Sequence, residues 1–139
     1  MSGETRLQEL LANMEPRLHD GEFVFCTVSP AQFRRLLIEP LGWFREEEGI
    51  TLIAERSVAD RDGLKYEFIS RMITLSVHSS LYAVGFLAAI TAKLAAAGIS
   101  VNPISAYYHD HLFVPADQAS AAMKALDELR GESVLPGSA

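Results

Sequence analysis

Three of the four histidines, His78, His109 and His111, fall close to polar residues that could serve a binding site. Ser79 and Ser80 follow the first of them. Tyr107, Tyr108 and Asp110 surround the other two. Free backbone N–H groups at a helix start near Ser79, Ser80 and Leu81 can hold a carboxylate. Asp110 can pair with an α-amino group, and Tyr107 and Tyr108 can wall a side-chain pocket. An anion site, a cation partner and an apolar wall together are what an amino acid requires. His109 and His111 are two apart, so on a strand both point to one face. If His78 converges on them, the three imidazoles are an alternative metal site with Asp110 behind them, or the acid–base groups of a small enzyme. A His-x-His pair is a weak metal signal alone, and a serine before a helix more often caps it. No nucleophile motif, phosphate loop or carboxylate pair accompanies the histidines, so the pattern favours a binder over a catalyst and implies no cofactor.

The elements that position these residues follow from periodicity. Residues 68–77 alternate, with Ile73, Leu75 and Val77 on one face and Thr74, Ser76 and His78 on the other, which predicts a strand. Residues 82–97 predict a helix stopped by Gly98, with Gly85 inside its first turn, where glycine costs stability relative to alanine. Residues 99–108 and 111–115 predict two strands. Pro103 marks the first of them as an edge. Asp117 is the expected cap of a last helix that ends at Gly131. This order, β-α-β-β-α, is a ferredoxin-like α+β arrangement with an antiparallel sheet, lacking only a fourth strand. The helix at 82–97 is apolar almost all round. It therefore needs cover from the other half of the chain or from a second subunit.

The first half is less regular. Residues 6–14 space Leu7, Leu10, Leu11 and Met14 as a helix face. Pro16 and the pair Asp20-Gly21 then turn the chain, and residues 23–28 predict a strand. Residues 29–42 are ambiguous. Residues 43–47 and 50–55 predict a hairpin, with Glu46, Glu47 and Glu48 as a solvated tip, and Ser57 is the expected cap of a short helix ending at Gly63. The expected organisation is a smaller α/β half at 1–65, the β-α-β-β-α module at 66–131 and a flexible tail at 132–139. The strand at 23–28 is the expected filler of the missing fourth place, or an extension of the sheet.

Composition narrows the function classes. The chain has 139 residues, 49% of them hydrophobic and 22% charged, with a formal net charge of −6. That is a globular balance. The acidic charge and scattered basic residues argue against a nucleic-acid partner. No apolar stretch reads as a membrane span or signal peptide. The lone Cys26 sits in an apolar run and reads as a buried hydrophobe, which suits a reducing cytoplasm.

The run Ala83-Val84-Gly85-Phe86-Leu87-Ala88-Ala89-Ile90, followed by Lys93-Leu94-Ala95-Ala96-Ala97-Gly98-Ile99-Ser100-Val101-Asn102, resembles the ACT domain. So does the return hairpin Ser105-Ala106-Tyr107-Tyr108-His109-Asp110-His111-Leu112-Phe113-Val114. The whole chain is similar to a small group of bacterial proteins of unassigned function with a degenerate ACT-like first half. The resemblance implies a non-catalytic regulatory module that binds a small molecule, commonly an amino acid, and pairs with a second copy. The topology, independently of the resemblance, places a candidate ligand site at His78, Ser79, Ser80, Leu81, Tyr108, His109, Asp110 and His111, and the resemblance adds Gly85 as a point of close ligand approach. A dimerisation module without any ligand is the remaining alternative.

Overall fold

The computed structural model describes residues 3–77 and 83–134. In chain order the elements are α1 (Gly3–Asn13), β1 (Glu15–Leu18), β2 (Phe23–Val28), α2 (Pro30–Arg35), β3 (Gly42–Arg45), β4 (Ile50–Glu55), α3 (Arg56–Arg61), β5 (Tyr66–Ser76), α4 (Phe86–Ala96), β6 (Asn102–Ser105), β7 (Asp110–Pro115), a 3-10 turn (Ala116–Gln118) and α5 (Ala119–Glu132). They fall into two compact units. Asp20–Arg71 is one; Met1–His19 and Met72–Ala139 make the other. Residues 1–19 thus group with the second half of the chain and not with residues 20–65.

The inserted unit, Asp20–Arg71, runs β2-α2-β3-β4-α3-β5 with strands in the order β3-β4-β2-β5. This is a complete βαββαβ set. Alternation puts Val24, Cys26, Val28, Ile50 and Leu52 on one face, where they form a core with Ala59. The segment that periodicity left ambiguous holds α2. Ser29 Oγ accepts from Gln32 N at 3.1 Å, and Ser29 N donates to Gln32 Oε1 at 2.9 Å, a reciprocal cap with proline in the first turn. Tight packing fixes the β3–β4 turn: a Cβ on Gly49 would stand 2.9 Å from Thr27 Oγ1 and 3.2 Å from the Val28 carbonyl oxygen. α3 starts two residues earlier than expected. Glu55, not Ser57, holds its cap position, without a side-chain bond. Where β2 meets β5 the register shifts between Phe23 and Phe25, and Phe68 takes φ +60°, the signature of a bulge.

The split unit contains the elements that periodicity read most clearly, and it corrects several of their limits. β5 ends at Ser76 and lies beside β7, which lies beside β6. β6 covers only four of the residues expected at 99–108, with Pro103 inside it opposite Leu112, and the turn at 106–109 ends the ladder. Asp117 lies in the 3-10 turn, and Gln118 occupies the cap position of α5, which passes through Gly131 to Glu132. α4 begins at Phe86, four residues later than expected. Residues 23–28 take the second of their two expected roles and extend the sheet, pairing with the first part of β5 at Phe23↔Ser70 and Cys26↔Tyr66. The fourth strand of the split unit is another. It is β1, antiparallel to β5 from Glu15↔Ser76 to Leu18↔Ile73. β1 pairs on one side only, so the N–H that Pro16 lacks removes no second ladder.

One core serves the split unit. Ile73 and Leu75 of β5, Leu112 and Val114 of β7, Phe86, Ile90 and Leu94 of α4, and Ala122 and Leu126 of α5 are buried in it with Leu11 and Met14. Each large side chain so buried contributes roughly 1.5–3 kcal/mol. Leu7 and Leu10 pack against the same cluster, so α1 supplies cover that the apolar α4 required. Lys93 of α4 bonds Glu132 of α5 at 2.8 Å and stands 3.5 Å from Glu128. Arg130 Nη1 donates to the Met14 carbonyl at 3.3 Å, tying α5 to the junction of α1 and β1.

Candidate ligand site

The described candidate residues Tyr108, His109, Asp110 and His111 lie at one end of the split unit's sheet. β5 runs toward this end and β7 starts from it, as the 2.9 Å contact between Thr74 Oγ1 and His111 Nδ1 shows. His78, Ser79, Ser80 and Leu81 lie outside the described residues.

Gly85 does not sit inside a helical turn. It holds the cap position of α4 with φ +89°, a left-handed conformation that glycine adopts without the steric cost of a Cβ. A Cβ there would stand 3.3 Å from Leu7 Cδ2 of α1. Among the described residues no side chain caps α4, and its first turn carries no acidic residue. Its leading N–H groups thus keep the partial positive charge of a helix start.

The hairpin is closed by local bonds. Ala106 N donates to the His109 carbonyl at 3.0 Å, and Ser105 Oγ donates to Asp110 Oδ1. Asp110 is therefore a turn-former in this structure, with its carboxylate held at the hairpin neck. Tyr107 and Tyr108 meet edge to face, ring centres 4.9 Å apart, and are 77% and 69% exposed. Large exposed rings beside a fixed carboxylate suit the stacking and charge-pairing a small zwitterion offers.

His109 and His111 do share a face, their ring centres 6.5 Å apart. His109 Nδ1 is buried and has no hydrogen-bond partner among the described residues. The third ring beside His111 is His19, just after β1, whose Nε2 lies 2.7 Å from Thr74 Oγ1. Sequence reasoning missed His19 because the chain around it read as a turn. His111 is pushed below the usual histidine range, first by burial, then by His109 and His19, with Asp110 acting the other way. Among the described residues no group of three His, Cys, Asp or Glu stands where it could hold a metal ion.

ACT-domain family models match residues 2–71 and 67–128. The chain belongs to the ACT-domain family. The first match spans α1, β1 and the βαββαβ run of the inserted unit; the second spans the β-α-β-β-α run from β5 into α5 and omits β1, the strand that the N-terminal segment returns to the split unit. A Vibrio cholerae protein, described as of unknown function and a possible transport protein, is 46% identical, with a TM-score of 0.84 over 93% of this chain and 99% of that one. An Agrobacterium tumefaciens protein shares the fold at 13% identity and TM-score 0.68, over 84% of this chain and 89% of that one. So does the regulatory subunit of Thermus thermophilus aspartate kinase in its ligand-free form, at 12% identity and TM-score 0.63, over 83% and 97%. No curated protein matches the ACT-domain chain. None of the helices of its described residues is long and apolar enough to cross a membrane.

Proposed function

We propose that this ACT-domain protein is a non-catalytic regulatory module that binds a small molecule, an amino acid in the first instance, and works as a cytoplasmic homodimer. The observation that carries the reading is the pair of ACT-domain matches, which together span residues 2–128. The end of the split unit supports the site: an uncapped helix start at Gly85, exposed Tyr108 and the carboxylate of Asp110, with His109 and His111 behind them. The segment from His78 to Leu81 completes the proposed ligand set. A ligand that binds only the folded state raises its stability by mass action, by about 2.7 kcal/mol at a hundred times Kd. A thermal-shift panel of the twenty amino acids on tag-free protein is expected to show a selective rise with one of them, or a few of related chemistry. A flat panel at millimolar concentration would contradict the reading.

A second reading, assembly without a ligand, is favoured by the edge of the inserted unit. Leu37, Leu41, Trp43 and Phe44 are all at least half exposed on or beside the edge strand β3. Apolar side chains concentrated on an open strand edge suit pairing with another chain. Sedimentation distinguishes the readings: a dimer whose stability no small molecule changes supports assembly alone.

A further inference from the structure

His19, Thr74 and His111 link three strands of the split unit on the sheet face opposite its helices. The Thr74 hydroxyl, on a residue only 7% exposed, lies 2.7 Å from His19 Nε2 and 2.9 Å from His111 Nδ1. A threonine hydroxyl has one proton to donate. With both rings neutral, one ring donates to Oγ1 and the hydroxyl donates to the other, so both contacts are hydrogen bonds. A first added proton is absorbed by a change of tautomer in the second ring. With two added protons, both rings can only donate. Two cations then face a single buried oxygen, and the hydroxyl proton loses its acceptor. His109 stands beside the pair, its ring centre 6.5 Å from that of His111.

We propose that the His19–Thr74–His111 cluster, with His109 beside it, is a proton-operated clasp on the N-terminal segment, closed when the rings are neutral and opened when they gain protons. His19 is the last residue of the segment that completes the split unit. Its backbone N–H donates to the Met72 carbonyl at 2.9 Å, extending the β1–β5 ladder. Upstream, α1 rests on α4 and places Leu7 against Gly85. Loosening His19 therefore frees the end of β1 and, through α1, the helix start at Gly85. The groups facing the cluster support this direction. Burial, His109 and His19 disfavour charge on His111, and Asp110 favours it from the hairpin, although that carboxylate is engaged by Ser105. Arg17 of β1, opposite Thr74 in register, adds positive charge, while Ile104 of β6, opposite His111, brings none. The helices pack on the other face, through Ile73, Leu75, Leu112 and Val114.

The test is amide hydrogen exchange on the full chain between pH 7.5 and pH 5, corrected for the intrinsic effect of pH on exchange. Protection of β1 is expected to fall about tenfold or more, the equivalent of one pKa unit of linkage, while β2 and β4 in the inserted unit hold theirs. His19→Gln keeps an amide that can donate or accept without titrating, so its β1 protection is expected to be insensitive to pH. Equal pH dependence in β1 and β2, or an unchanged pH dependence in H19Q, would overturn the proposal. Should H19Q fail to fold, carbon-13 NMR titration of the wild-type imidazoles decides. Coupled steps shared by His19 and His111 support the clasp, and independent titration of the two rings near the ordinary histidine value overturns it.

Discussion

Gly85 and Thr74 are the two single positions where the site depends most on one atom. Any side chain at Gly85 would meet a left-handed backbone at φ +89° and the Leu7 methyl 3.3 Å away. Gly85→Ala is therefore expected to destabilise the protein by about 1–2 kcal/mol, read by urea denaturation. A neutral result would mean that the loop relaxes around the new methyl. His111 sets a direction for pH. Its folded-state value lies below the usual histidine range, so the unfolded chain binds protons more readily than the native state. Stability from this group is fully present above the ordinary value of about 6.5 and is lost as pH falls through the lower folded value. The melting temperature is expected to drop between pH 7.5 and pH 5.5, and His111→Asn should flatten that drop. Both tests concern residues whose identities were legible in the sequence. Their partners were not. His19 is 55 positions from Thr74, and nothing local announces the pairing.

Among the elements, β1 and α2 show what periodicity can and cannot reach. Four residues carrying a proline do not alternate long enough to register as a strand, and β1 is recognisable only once β5 offers it an edge. α2 is too short to show a period, yet its cap was written in the sequence as Ser29-Pro30-Ala31-Gln32. Ser29→Ala removes one half of that reciprocal cap and is expected to cost about 1 kcal/mol of stability, measured by denaturation. The junction of α1 and β1 matters more. Met14 is fully buried in the split unit's core, and its carbonyl accepts from Arg130. Met14→Ala is expected to cost about 2–5 kcal/mol. A loss under 1 kcal/mol would show that the N-terminal segment contributes little to the fold. The strands and helices after β5 were legible because each alternates or repeats along one face; their ends were not, because caps such as Gly85 and Gln118 depend on backbone angles.

For the whole chain, one βαββαβ set and one βαββα set completed by β1 account for nearly every described residue, and both match the same kind of domain. The second was readable as such from its order of elements. The first was readable only in fragments, since its helices are six residues each and its sheet shares β5 with the other set. The exposed aromatic edge of β3 carries a prediction about assembly. Phe44, 72% exposed, lies on a strand with one open side, so Phe44→Glu is expected to shift a dimer toward monomer in sedimentation without changing the melting temperature of the monomer. An unchanged sedimentation coefficient would place any interface elsewhere. The central claim is that an amino acid binds at the helix start and hairpin of the split unit. The most direct measurement is nitrogen-15 NMR of the full chain titrated with the amino acid that the thermal-shift panel selects. Saturable shifts concentrated at Gly85 and at Tyr107 to His111 are expected. Shifts confined to other residues, or none at millimolar ligand, would contradict the claim.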